Sequence, residues 1–334
     1  MKKIFLSILS AVIISAASAG HAQDAKYILE KKIALPGEGG YDYLSIDKVN
    51  NRLYVSHGTA VNVVDLATNK VVGTIDGMQG VHGIAIVNKV NKGFISDGKG
   101  NAAVAFDLKT LAKVATIPLS NKGADAIIYD AFSDKVFVFN GDASNSSVVD
   151  PNTLKQVATV PLFGAPEFAV SDGKGKLYNN LEDKNSLDVI DTKTLKVLKN
   201  YSLAPCGGPT GIAMDEKNQR LFTVCRENKG MSVVDAITGK VITTLPIGAG
   251  VDAVAYDPET KLIFVSNGDA TTTIIKQQSA NEYKIVQTLT TQTRAKTLAL
   301  DTKTHKIYLS CAEFENGTRK VVPGSFSVLV YKMQ

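Results

Sequence analysis

GIAMDEKNQRLFTVCRENKGMSVVDAITGKVITTLP, residues 211–246, contains four short apolar runs separated by turn chemistry. The runs Gly211–Met214, Arg220–Cys225, Met231–Asp235 and Lys240–Pro246 are rich in Val, Ile and Thr and are bounded by Asp, Asn, Lys and Gly, which predicts strands. Between the third and fourth runs, the Asp235 carboxylate can accept hydrogen bonds from its own turn, and Gly239 supplies the positive φ a tight hairpin needs. The stretch therefore reads as a four-stranded antiparallel meander.

The same rhythm repeats along the chain. Seven copies of about 42 residues follow one another from residue 37, and a period of 40–45 residues with several strands per copy is that of a propeller blade. The first run of each copy ends at Asp47, Asn88, Asp130, Asp172, Asp215, Asp257 or Asp301, and the third run ends at Asp65, Asp107, Asp150, Asp191 or Asp235. Blade six replaces the Asp turn with Gln277-Gln278-Ser279-Ala280-Asn281. The last copy has only three runs, Thr297–Leu300, Lys306–Ser310 and Phe326–Tyr331, while Tyr27–Leu35 resembles a fourth strand standing alone. Pairing the two closes the ring and hides both edges. The expectation is an all-β, seven-bladed propeller forming a single domain over 23–334.

Residues 1–22 lie ahead of it. Lys2-Lys3, the apolar stretch Ile4 to Ala17 and the small-residue pattern around Gly20-His21-Ala22 form a secretory signal, which implies export to the periplasm or the medium. No other run approaches the ~18 apolar residues of a membrane span. Without Lys2 and Lys3 the formal net charge of +5 becomes about +3, too small to name a polyanionic partner. Of three cysteines, Cys206 and Cys225 fall at the same edge of blade five and are the expected disulfide, leaving Cys311 over.

The recurring pattern Gly211-Ile212-Ala213-Met214-Asp215, then Leu53-Tyr54-Val55-Ser56, then Met231-Ser232-Val233-Val234-Asp235 resembles the YVTN-repeat, YncE-like propellers of the wider WD40-like superfamily. The resemblance covers the whole mature chain. It implies an exported binding or surface protein, and the family picture includes a DNA-binding member. Two departures stand out. Only Gly208-Pro209 and Ala165-Pro166 approach the Gly-Pro that opens the family's innermost strand, and the chain has no Trp, so the Trp-Asp signature of WD repeats is missing.

Meander geometry fixes which loops share a face. Just before the inner strands stand Asp42, His82, Asp125, Glu167, Thr210, Asp252 and Lys296. Just after the second strands stand His57, Asp97, Asn140, Asn180, Arg226, Asn267 and Cys311. Both sets belong to one entry face around the central channel. The expected ligand site is Asp42, His57, His82, Asp97, Asp125, Asn140, Glu167, Arg226, Asp252, Asn267 and Lys296, for a small molecule or a protein partner of a monomeric chain. Converging carboxylates call for a cation or for shifted pKa values, with oxygen ligands pointing to calcium or magnesium and imidazole to zinc. Strand-end polar residues are also explained by solvation or turn capping.

Glu167, Asn140 or Asn267, and Asp252 resemble the metal set of gluconolactonase-type propellers, with Asp125 beside them, which implies a metal-assisted hydrolase as the alternative. Catalytic motifs such as Gly-x-Ser-x-Gly, a phosphate loop or His-Glu-x-x-His are missing. An insertion, residues 312–324 of blade seven, is expected to overhang the entry face. The opposite face carries Arg52, Lys92, Lys135, Lys176, Arg220, Lys261 and Lys306, one base per blade. This makes nucleic acid a third candidate partner, although no aromatic residues interleave with the bases.

Overall fold

The computed structural model describes residues 26–315, 318 and 320–334. Residues 1–22, read above as a secretory signal, lie outside the described residues, as do Asn316, Gly317 and Arg319 of the insertion. Seven four-stranded antiparallel sheets follow in chain order, as the repeat predicts. Blade five is typical, with strands Pro209–Asp215, Arg220–Cys225, Gly230–Asp235 and Val241–Pro246. The first strands touch one another round the ring, which closes between Leu44–Asp47 and Leu298–Asp301, so they line the channel. Among the described residues no helix is long and apolar enough to cross a membrane.

Burial explains the composition of each strand. Second strands such as Arg52–His57 are buried almost throughout, because neighbouring blades cover both faces. They are accordingly continuous apolar runs rather than alternating ones. Fourth strands such as Lys70–Ile75 alternate exposed and covered positions, as the outer rim requires. The core lies between blades. Phe222 and Val233 of blade five pack with Ile263 and Val265 of blade six, each fully buried and contributing roughly 1.5–3 kcal/mol.

The Asp anchors act twice. Asp235 Oδ1 accepts the Ile237 and Thr238 amides at 3.0 and 2.9 Å, and Asp65, Asp107, Asp150 and Asp191 repeat this bond. The first-strand anchors also reach the next blade. Asp47 accepts the Asn88 side-chain amide at 3.2 Å, Asp130 accepts the Ser171 hydroxyl at 2.6 Å, and Asp257 meets His305 Nδ1 at 2.6 Å.

Tyr27–Ala34 pairs antiparallel with Ser327–Met333, from Tyr27↔Met333 to Ala34↔Ser327. The first strand of the chain is thus the outer strand of the last blade. Cys206 and Cys225 form a disulfide that ties the approach to blade five's inner strand to the end of its second strand, and Cys311 is a buried free thiol.

Candidate ligand site at the channel mouth

The inner strands of blades two to five carry a bulge at their entry ends. In blade two the register passes from Val81↔Asp97 to Ile84↔Ile95, so His82 and Gly83 together oppose Ser96. The same step leaves Asp125 unpaired in blade three, Glu167 in blade four and Thr210 in blade five. A bulge breaks the alternation of side chains and re-aims a residue, here at the rim of the channel. In blades one, six and seven the equivalent residues, Asp42, Asp252 and Lys296, fall just before the paired strand.

Four rim residues are held from behind by the neighbouring blade. Ser96 Oγ donates to the Asp125 carbonyl, Asn180 Nδ2 to the Thr210 carbonyl, Ser266 Oγ to the Lys296 carbonyl, and Thr297 Oγ1 to the Asp42 carbonyl. Asn180 belongs to this support rather than to the rim. The second strand of blade four runs on to Leu181, which puts Asn180 one place before its end, where Ser96 and Ser266 also stand. The blades come close here: a Cβ on Gly211 would lie 2.7 Å from the Asp252 carbonyl.

Around the rim the charges form two clusters. On one side, His82 Nδ1 lies 2.8 Å from Asp42 Oδ2 and 3.3 Å from Asp125 Oδ1. Asp125 Oδ1 is buried and makes no hydrogen bond. On the other side, Asp252 is buried, with one oxygen 2.6 Å from Arg226 Nη2 and the other against the Lys296 ammonium. Arg226 Nη1 also holds Glu182 Oε1 at 2.6 Å. Glu167 completes the circuit by hydrogen bonding to Glu182.

The titration behaviour follows from this crowding. Burial first, then the Asp125 and Asp252 charges and the Glu182 bond, push the Glu167 carboxyl up to about 9. Burial and the Asp42 charge push Asp125 up to about 6, with His82 opposing. The hydrogen bond to Asp42 raises His82 despite its burial. Burial works against the charge on Arg226 and Lys296, yet Asp252 beside them keeps both above their ordinary values. Below the rim, the Tyr43 ring of blade one lies 5.1 Å from Phe168 of blade four and spans the channel. Its hydroxyl is raised by burial and by the charges of Asp125, Asp42, Glu167 and Asp252.

Seven of the eleven expected site residues therefore share the mouth: Asp42, His82, Asp125, Glu167, Arg226, Asp252 and Lys296. The other four have structural partners. His57 is buried and stacked on Phe326 at 4.2 Å. Asp97 accepts the Gln79 and Gly80 amides at 3.0 and 2.8 Å. Asn140 donates to Asn145 and Ser147, and Asn267 to Thr271 and Thr273. In the expected metal quartet Asp125, Glu167, Asp252 and Asn140, both Asp252 oxygens are taken by Arg226 and Lys296, and Asn140 is fully buried with its Nδ2 given to Asn145 and Ser147. Among the described residues, the group whose ligand atoms all lie within 4.8 Å of one another is Asp42, His82 and Asp125.

Sequence reasoning missed Glu182, Tyr43 and Arg294. Glu182 sits in a single 3-10 turn, Glu182–Lys184, and its charge in that turn was the available signal. The insertion does reach the entry face, where Phe314 lies under the Arg294 guanidinium at 4.0 Å. On the opposite face the bases are largely engaged: Lys135 pairs with Asp150, Arg220 with Asp235 and Lys306 with Glu30, while Arg52 donates to the Leu108 carbonyl.

No family model matches this sequence, and no curated protein matches it. Solved structures do. The WD40 repeats of RRP9 superpose with a TM-score of 0.80 at 9% identity, covering 93% of this chain and 100% of that one. U3-55K gives 0.77 at 8% identity over 90% and 97%. Hydrazine synthase of Kuenenia stuttgartiensis gives 0.53 at 14% identity over 75% and 99%. At such identities the likeness is one of fold: a seven-bladed, WD40-like propeller, reached without tryptophan.

Proposed function

We propose that this chain is an exported, YncE-like binding propeller whose channel mouth captures a divalent cation, alone or as part of a bound small molecule or protein partner. The observation that carries this reading is the meeting of Asp42, His82 and Asp125, one from each of three blades, with their ligand atoms within 4.8 Å. Two carboxylates and one imidazole suit a zinc-class ion better than calcium. In its absence the same place is held together by the His82 proton. The fold supports the binding reading too, since loops on a rigid propeller are a common site of recognition.

The gluconolactonase-like alternative lacks support from the geometry, because both Asp252 oxygens are taken by Arg226 and Lys296. Nucleic-acid binding lacks it as well, since most bases of the opposite face, Arg52, Lys135, Arg220 and Lys306 among them, are engaged within the fold.

The test is to strip the protein with a chelator, add zinc, calcium or magnesium singly, and follow thermal stability and bound metal. Zinc is expected to bind one ion per chain and raise the melting temperature. Asp125→Asn and His82→Gln should each weaken binding at least tenfold, and affinity should rise with pH as the ion competes with the His82 proton. Absence of a stoichiometric ion, or binding indifferent to both substitutions, rejects the reading.

A further inference from the structure

Beside the mouth, on the entry face where blades five, six, seven and one meet, lies a cavity of about 720 Å³. Its walls include Lys296, Arg226, Arg294, Tyr41 and Phe314, with the backbones of Gly40, Gly250 and Gly268 between them. Three cationic side chains around one small-molecule-sized space make an unusual wall, and their hydrogen-bond accounts differ.

Arg226 is mostly committed: three of its five N–H donors go to Glu182, Asp252 and the Val251 carbonyl, and two carboxylates answer its charge. Lys296 gives one bond to Asp252, which leaves two of its three N–H donors. Arg294 gives one bond, from Nη2 to the Thr318 carbonyl at 3.2 Å, and has no carboxylate partner among the described residues. A guanidinium has five donors, so most of this one is unspent. The one acid of the cavity wall, Asp269, is occupied by the Ala249 amide at 2.6 Å and the Thr271 hydroxyl at 2.6 Å.

Arg294 is also held in place. Its backbone stands at φ 65°, clamped by its own N–H to the Gly268 carbonyl at 2.8 Å and by the Tyr41 hydroxyl donating to its carbonyl at 3.1 Å. The guanidinium lies 4.0 Å over the Phe314 ring, a cation–π contact that fixes its plane. A planar, preorganised fork with unspent donors matches a carboxylate or phosphate in a two-point contact. Tyr41 and Phe314, at 6.4 Å, supply apolar surface next to it.

We infer that this cavity binds the carboxylate or phosphate group of a small organic anion, with Arg294 and Lys296 as donors and Tyr41 and Phe314 against its apolar part. The inference deepens the reading of the entry face as the ligand face and adds an anion pocket next to the cation cluster. Lys296 links the two, because the Asp252 it pairs with belongs to the mouth.

The test uses the purified chain, free of added metal, titrated with phenylacetate, phenyl phosphate and, as the charge-reversed control, benzylamine, followed by backbone amide NMR. At least one anion is expected to shift the amides around Arg294, Gly268 and Phe314 saturably, with a dissociation constant of about 1 mM or tighter, as suits a ligand of this size. Benzylamine should leave them unmoved. The anion that binds more tightly identifies the group recognised. Arg294→Gln should weaken binding at least tenfold and Arg294→Lys less, which separates loss of charge from loss of structure. Because this titration is run without metal it reads the anion pocket alone, while the zinc titration reads the cation cluster, so a failed cation site and a failed anion pocket give different results. Indifference to both anions, equal binding of benzylamine, or unchanged affinity in Arg294→Gln overturns the inference.

Discussion

Glu167 has little water and too many negative neighbours, and it responds by keeping its proton. Its carboxyl rises from the ordinary 4.5 to about 9. Between those values the folded chain holds a proton that the unfolded chain has released, so this residue makes stability fall as pH rises. Asp125, raised from 3.8 to about 6, adds to the fall at its lower end. His82 is raised by its Asp42 bond, and its contribution is complete below the unfolded imidazole value and lost as pH climbs through the folded one. All three slopes have the same sign. A glutamine at position 167 keeps the donor to Glu182 without the titration. Glu167→Gln is therefore expected to match the parent near pH 4 and to melt higher at pH 9, by about 2–4 °C for each kcal/mol relieved. Melting curves at unit pH intervals decide it, and parallel curves for the two proteins would count against the assignment.

Among the elements, the second strand decides which polar residues become functional. Its side chains alternate, so a polar residue one place before the end supports the next blade while the last residue serves its own loop. Asn180 is the clearest support: fully buried, it donates to the Thr210 carbonyl at 2.8 Å, the Gly211 carbonyl at 3.2 Å and Thr223 Oγ1 at 2.7 Å. Asn180→Ala leaves those acceptors orphaned and is expected to cost about 1–3 kcal/mol. In urea this reads as a lower midpoint at unchanged slope. The same geometry sets what was legible beforehand. Asp42, His82, Asp125, Glu167, Asp252 and Lys296 were readable because each holds one fixed place in its repeat, and place alone brings them to the rim. The boundaries Arg220–Cys225 and the lone fourth strand were readable for the same reason, from periodicity. His57, Asp97, Asn140 and Asn267 looked equivalent to the rim set, being polar strand ends. For His57 and Asp97 the difference is tertiary, a neighbouring ring at Phe326 and loop amides at Gln79 and Gly80, which no local pattern encodes. Asn140 and Asn267 instead bond Ser147 and Thr273 across their own hairpins, a pairing that becomes readable only once the strand register is known. No local pattern encodes Arg294 either, whose role depends on an insertion from another blade.

At the scale of the whole molecule, the ring is only as intact as its seam. Tyr27–Ala34 supplies the outer strand of blade seven, and Tyr27 fastens it: its hydroxyl donates to the His305 carbonyl at 2.7 Å, its ring meets Phe264 at 5.0 Å, and its amide and carbonyl both bond the Gln287 side chain. The seven mouth residues come one from each blade, and Asp42 and Lys296 flank the closing contact between blades one and seven. A chain lacking the segment up to Leu35 would expose Ser327–Met333 as an unpaired edge, a surface that recruits other strands. Blade seven would lose its outer cover, the first and last blades would no longer be held together, and the mouth would lose its fixed geometry. The truncated protein is expected to show a broadened or lower-temperature transition, to form oligomers in size-exclusion chromatography, and to lose zinc binding even though every rim residue is present. A synthetic peptide of residues 23–36 added in excess should dock by strand addition and restore part of each property. If the truncated chain instead stays monomeric and binds zinc as the parent does, closure by the first strand is dispensable and the rim is assembled by the blades alone.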